Sequence, residues 1–222
     1  MPLALDRGAP MTPFAWRRIA RECALRALYT ADLGQGSLSD ALHLTIDSLE
    51  DEEQSEELVN GVELVDATLD LVDRFATALA EGTWKSRVSL DRAISAAIPD
   101  YDFSRLALVD RSVLRLALYE LQNYPYIPPA VTLNEAIEMA KKYSTTESGK
   151  FVNGVLHTLL NQTEKANYDP KTAPKDPDLG EIEKIMRTPE PVVEEETVDA
   201  DSEEGKIAKR YGVWKVKGDE KE

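Results

Sequence analysis

Two adjacent prolines, Pro128 and Pro129, interrupt an otherwise continuous series of helical stretches and constrain this chain more than any other feature. They sit inside the segment from Val109 to Leu160, which reads VDRSVLRLALYELQNYPYIPPAVTLNEAIEMAKKYSTTESGKFVNGVLHTLL. Each proline lacks a backbone donor and biases its predecessor away from the helical region, so NYPYIPPA has to be a hinge. Before the hinge, Leu108 to Asn123 carries Val113, Leu114, Leu116, Ala117, Leu118 and Leu121. A helix apolar nearly all round belongs at the centre of a bundle. Arg111 and Arg115 lie one turn apart on its remaining polar strip. After the hinge, Thr132 and Glu135 have the spacing of a capping box for a helix reaching Tyr143, and Ser144 and Glu147 repeat that spacing. The last helix then buries Phe151, Val152, Val155, Leu156, Leu159 and Leu160. Gly149 and Gly154 on that helix leave room for a neighbour to approach.

The upstream part reads the same way. A first helix starts near Thr12-Pro13 and sets Ile19, Ala20, Cys23, Ala24, Ala27, Leu28 and Ala31 on one stripe, with Gly34 and Gly36 ending it. A short helix covers about Leu38 to Leu49, followed by the acidic turn DEEQSEE. A long helix runs from about Glu56 to Glu81 with Leu58, Val62, Val65, Leu69, Val72 and Phe75 inward, closed by Gly82. Another short helix spans about Leu90 to Ile98 and stops at Pro99. With no strand pattern and no internal repeat, the fold class is all-α, a compact bundle of about seven helices.

Composition divides the chain. Helical periodicity ends near Asn161 and gives way to prolines and acids. The expected organisation is an extension at 1–11, a helical domain at 12–163 and a disordered acidic tail at 164–222. The stretch PEPVVEEETVDADSEEG buries too little apolar surface to order itself. The tail ends in KIAKRYGVWKVKG, a basic and aromatic peptide of a kind that can contact a partner or a membrane surface, although an unstructured terminus more often does nothing specific. Met11 is a second candidate start. The net charge is −15, but it is unevenly spread: Ala27 to Asp73 holds thirteen acids and no Lys or Arg, whereas Arg7 to Arg26 holds five arginines and one acid. A small basic patch therefore borders an acidic surface, which also reads simply as a solvated helix face. The single Cys23 excludes an internal disulfide and fits a reducing compartment. No apolar run is long enough for a signal peptide or a membrane span, so the expectation is a soluble cytoplasmic chain with no membrane contact.

Catalytic chemistry is poorly represented. His43 and His157 are far apart in sequence, Cys23 sits on an apolar stripe, and no metal, nucleotide or nucleophile motif occurs. The reading is therefore of a non-enzyme without catalytic residues, metal or cofactor. Arg17, Arg18 and Arg21 are more informative. At 100° per residue they fall on one flank of the first helix, where guanidinium forks suit phosphates. Single-stranded RNA recognition adds stacking to such a hold. Phe151 and Tyr143, near Lys141, Lys142 and Lys150, are the aromatic candidates. Phe151 also belongs to the last helix's apolar stripe, so a core role stands beside the RNA one.

Four blocks together resemble the NusB family of transcription antitermination factors: RRIARECALRALY at Arg17–Tyr29, LALVDRSVLRLALYEL at Leu106–Leu121, IPPAVTLNEAIEMAKKYS at Ile127–Ser144 and ESGKFVNGVL at Glu147–Leu156. The resemblance implies a bundle in two packed halves that binds boxA-type RNA. The implied partner is the small-subunit ribosomal protein acting as NusE, and the pair joins the RNA polymerase elongation complex with other Nus factors. A second copy of the chain is a further partner it implies, since some members dimerise and hide the RNA surface. It assigns RNA contacts to Arg17, Arg18, Arg21, Glu147, Lys150 and Phe151, and the NusE-facing surface to Tyr29 and Asp110. Tyr29 equally suits a packing role at the stripe's edge.

The chain departs from the family pattern in four ways. Ile19 stands where a third arginine is often found. The region Val65 to Arg92 is about twenty residues longer than usual, and the segments before Met11 and after Gln162 have no counterpart. The tail's acids are expected to compete with RNA for the three arginines. Two other readings remain from the sequence: a protein–protein adaptor with little RNA binding of its own, and a fragment of a ribosomal RNA cytosine methyltransferase. The second needs a longer chain, because the stretch after the bundle is too short and acidic for a methyl-donor domain.

Overall fold

The computed structural model describes residues 15–49, 66–180, 198–199 and 216–217, and the chain divides into two compact units, 1–185 and 186–222. Among the described residues the first unit has six α-helices: α1 (Ala15–Asp32), α2 (Leu38–Asp47), α3 (Asp66–Ala97), α4 (Leu108–Asn123), α5 (Pro129–Tyr143) and α6 (Thr146–Leu160). Single 3₁₀ turns cover Phe103–Arg105 and Glu164–Asn167. In the second unit β1 (Val198–Asp199) pairs in parallel with β2 (Val216–Lys217), Val198 opposite Val216. These strands leave no trace in the residue pattern, because two residues are too few for alternation to register.

Helices α1, α2 and α3 pack on one another, as do α4, α5 and α6. The halves join where α4 meets α1 and α3, and where α6 meets α3. The first unit is thus an all-α bundle of two packed halves. Its centre is α4, where Val113, Leu114, Leu116, Ala117, Leu118 and Leu121 are all buried. Trp16, Ile19, Ala20, Cys23, Ala24, Ala27 and Leu28 of α1 are buried too. Past its end Gly34 and Gly36 take φ of 72° and 116°, a region open to glycine at no steric cost.

Several local expectations are corrected. Gly82 does not close a helix: α3 runs unbroken through it to Ala97, absorbing the separate short helix expected at Leu90–Ile98. The glycine serves packing instead. A Cβ at Gly82 would collide with Tyr119 Oη, so Tyr119 of α4 lies directly on the bare backbone. Helix α5 begins at Pro129, before the expected capping box. Proline suits that first position because its missing N–H has no intrahelical acceptor. Thr132 and Glu135 are turned to other partners, Glu120 and Arg18. Helix α6 is capped by Thr145 rather than Ser144, its Oγ1 accepting from the Ser148 N–H at 3.0 Å. Gly149 does permit a close approach, since a Cβ there would lie 2.8 Å from Lys141 Cγ; Gly154 faces open space. Phe151 and Leu160 are half-buried rather than buried.

The boundary expected at 163/164 is also displaced. Residues 164–180 lie against the bundle, fastened by Lys165, whose Nζ donates to the Ile127 carbonyl at 2.8 Å. The expected helix start at Thr12-Pro13, the 1–11 extension, the DEEQSEE turn, the start of the long helix at Glu56 and most of the tail lie outside the described residues.

Candidate nucleic-acid interface

The three arginines of α1 have three different environments. Arg21 points into the bundle. Its Nε and Nη2 donate to Glu120 Oε2 and Oε1 at 2.8 and 3.1 Å, and Thr132 Oγ1 donates to the same carboxylate at 2.6 Å. A carboxylate on a helix otherwise sunk in the core needs such partners, because an unpaired buried charge is strongly unfavourable. The phosphate contact expected of Arg21 is therefore not presented by this conformation: its fork is committed to Glu120.

Arg17, one turn earlier, lies near the Trp16, Phe75 and Tyr126 rings at 4.9, 5.3 and 5.4 Å from their centroids. Its Nη1 donates to Asp176 Oδ2 at 2.5 Å, and its Nη2 to Asp176 Oδ1 and Asp178 Oδ2 at 2.7 and 2.9 Å. Burial works against the charge, but the Asp176 hydrogen bonds and charge outweigh it and leave the guanidinium pKa raised. Arg18 is the exposed member, with its side chain 57% accessible while it forks onto Glu135 at 2.9 and 2.8 Å.

Helix α5 packs on α6 and carries polar contacts to α1. Glu22 of α1 accepts from Lys142 Nζ at 2.7 Å and from Tyr143 Oη at 2.5 Å, with Arg26 5.5 Å from the Tyr143 ring centroid. Tyr143 is thus tied into an ion-pair network. At the start of α6, Lys150 and Glu147 are exposed and pair at 2.8 Å. Phe151 next to them packs on the exposed Tyr101, ring centroids 5.9 Å apart. A partly exposed aromatic pair beside a solvated cation is an arrangement that can stack bases and hold phosphates.

Of the residues assigned to a protein partner, Asp110 meets the start of α6 and Tyr29 lies on α1. Tyr29 is half-buried on α1. Asp110 is buried in the first turn of α4; its Oδ2 accepts from Ser148 Oγ at 2.9 Å, and its Oδ1 has no hydrogen-bond partner among the described residues. Nearby, Arg111 and Arg115 both reach Asp32, and Arg115 forks onto Asp91. That network ties α1, α3 and α4 together. His43 and His157 are exposed. Cys23 is fully buried and its thiol is pushed up to about 12 by burial, which keeps it protonated and unreactive at neutral pH.

The NusB family model matches residues 18–161, from the arginine row to the end of α6. The chain belongs to the NusB family. Among curated relatives it is 35% identical over 158 residues to the transcription antitermination protein NusB of Syntrophus aciditrophicus, covering 71% of this chain and 88% of that one. Among solved structures it resembles T. maritima NusB, 31% identical with a TM-score of 0.53, over 68% of this chain and 95% of that chain. A structure of the antitermination factors NusB and NusE in complex with dsRNA shares the fold, with a TM-score of 0.53 at 23% identity, over 66% and 97% of the two chains.

Some residues around this NusB bundle's arginines are not singled out by sequence pattern. Glu120 carries a usable signal, since an acid at the heart of an apolar helix demands a buried cation. Asp176 and Asp178 belong to the tail whose acids are expected at the arginines, but no pattern sets these two apart from the others. Tyr101 sits in the irregular PDYDF segment, where no periodicity marks an exposed ring.

Proposed function

We propose that this chain is a transcription antitermination factor that binds boxA-type single-stranded RNA together with the ribosomal protein NusE, within the RNA polymerase elongation complex in the cytoplasm. The observation that supports this most is the extent of the family match, which spans the bundle from Arg18 to Asn161. The fold is shared with the structure of NusB and NusE in complex with dsRNA over 97% of that chain. No described helix is long and apolar enough to cross a membrane. The reading is of an adaptor, not a catalyst.

On this reading RNA lies along Arg18 and the start of α6, with Lys150 and Phe151 in contact and Glu147 orienting Lys150. Arg17 joins once its acids are displaced, and Arg21 holds α1 in place from within. Tyr29 and the Asp110 region face NusE. The committed state of Arg17 and Arg21 favours one second reading, a protein adaptor with little RNA affinity of its own.

Salt-dependent RNA binding separates the two. For single strands the log–log slope is about −0.7 per phosphate neutralised. The antitermination reading expects NusE to tighten binding of a boxA-like strand over a duplex of the same sequence, and Arg18→Ala/Lys150→Ala to flatten the slope. Absence of RNA binding with and without NusE would establish the adaptor instead.

A further inference from the structure

Asp176 and Asp178 hold Arg17 in the way a nucleic-acid backbone would. The guanidinium donates three hydrogen bonds to two carboxylates through both of its terminal nitrogens, and its plane is held among three aromatic rings. Such a fork matches the paired oxygens of a carboxylate or a phosphate. Two carboxylates on one cation leave an excess negative charge, so the acids stand in for a polyanion rather than simply neutralising a residue.

The segment bearing these acids is built to stay there. At its root Lys165 is buried and donates to the Ile127 carbonyl at 2.8 Å. At its far end the Asp178 N–H donates to Asp176 Oδ1 at 3.1 Å, which presets the two acids side by side. Pro174 and Pro177 flank Asp176 and restrict the segment's alternatives. A tether this short gives the acids a high effective concentration at Arg17, so they compete with an RNA strand without needing high intrinsic affinity.

We propose that residues 164–180 form an autoinhibitory strap, in which Asp176 and Asp178 occupy the phosphate position of Arg17 and RNA binds fully only after displacing them. The strap rests on the reading of the chain as an RNA-binding antitermination factor. It lowers apparent affinity by the fraction of time it is closed: closed nine-tenths of the time, it weakens binding about tenfold. It also removes a salt-dependent step, because exchanging a carboxylate for a phosphate on Arg17 releases no net counterion.

The test uses the full chain with NusE and a boxA-like single strand at several salt concentrations. Asp176→Asn/Asp178→Asn should bind about tenfold more tightly at low salt, with a slope steeper by about 0.7. The gain should vanish in an Arg17→Ala background. Neutralising two exposed acids on α2, Asp40→Asn/Asp47→Asn, should leave affinity where it was. Circular dichroism of each variant confirms that the bundle is intact. Unchanged affinity in the strap variant, with the natural chain still binding RNA through Arg18 and Lys150, would overturn the strap alone. A gain that persists without Arg17, or that the α2 variant reproduces, would overturn it as well, because bulk charge then explains the effect. RNA binding by none of the variants would remove the antitermination reading, and the strap with it.

Discussion

Arg21 of α1 and Glu120 of α4 form a two-pronged ion pair, with side chains only 4% and 0% exposed. The pair crosses the joint between the two halves of the bundle, and Thr132 of α5 adds a third donor. One buried contact thus registers three helices against one another. It also explains why an arginine on the basic flank is withdrawn from the surface.

Removing one partner should therefore be severe. Glu120→Leu strands the Arg21 charge and should destabilise the fold by about 3–5 kcal/mol, read as a lower denaturant midpoint. Arg21→Met/Glu120→Leu should recover most of that loss, because apolar replacement of a whole buried pair is often neutral. The double variant also tests the role of Arg21. Its RNA salt slope should match the natural chain, and a flatter slope would mean that Arg21 reaches phosphate after all.

Gly82 offers a prediction whose sign depends on a neighbour. In an open helix Gly→Ala stabilises by about 1 kcal/mol. Here the new Cβ would collide with the edge of the Tyr119 ring, within 2.5 Å of three of its atoms. Gly82→Ala should instead destabilise by about 1–3 kcal/mol, the usual range for overpacking. In a Tyr119→Ala background the same substitution should stabilise. Thermal denaturation of the four chains gives the cycle.

How much of the bundle is legible in the sequence depends on how local each cause is. Helix α4 is legible to the residue, because its run of apolar side chains and the prolines after it are local signals. The continuity of α3 is not, because the reason for Gly82 is a tyrosine on another helix. Thr132 and Glu135 match a capping box by spacing, yet their partners, Glu120 and Arg18, come from α4 and α1. The arginine row is visible as a row. Which members face outward is decided by Glu120, Asp176 and Asp178, residues distant in sequence whose positions only the fold sets.

Lys165 makes stability depend on pH in the alkaline range. Burial lowers its pKa from 10.5 to about 8, against the pull of Glu120. Below pH 8 the ammonium is charged in both folded and unfolded chains, and the fold carries the full penalty of burying it. Between about pH 8 and 10.5 the unfolded chain binds more protons than the folded one, so this group's contribution to stability rises with pH. Lys165→Met has no such group. Its stability advantage over the natural chain, measured by urea denaturation at pH 7.5 and 9.5, should shrink at the higher pH. A constant difference would show that Lys165 is not desolvated in solution.

Phe151 carries two roles that one substitution can separate. The ring is half-buried and lies against Tyr101, so part of it packs and part faces outward beside Lys150. Leucine at this position keeps an apolar contact for Tyr101 but offers no π-face. If Phe151 were only a packing residue, Phe151→Leu would lower stability by about 1 kcal/mol and leave RNA affinity unchanged. If it stacks on a base, the loss is about 1–3 kcal/mol of binding, between about fivefold and about a hundredfold in Kd. That loss should hardly change with salt, because stacking neutralises no phosphate, whereas Lys150→Ala should change the slope. The expected outcome is a weaker Kd with an unaltered salt slope for Phe151→Leu, and a flatter slope for Lys150→Ala. Equal Kd values for Phe151→Leu and the natural chain at every salt concentration would return Phe151 to the core.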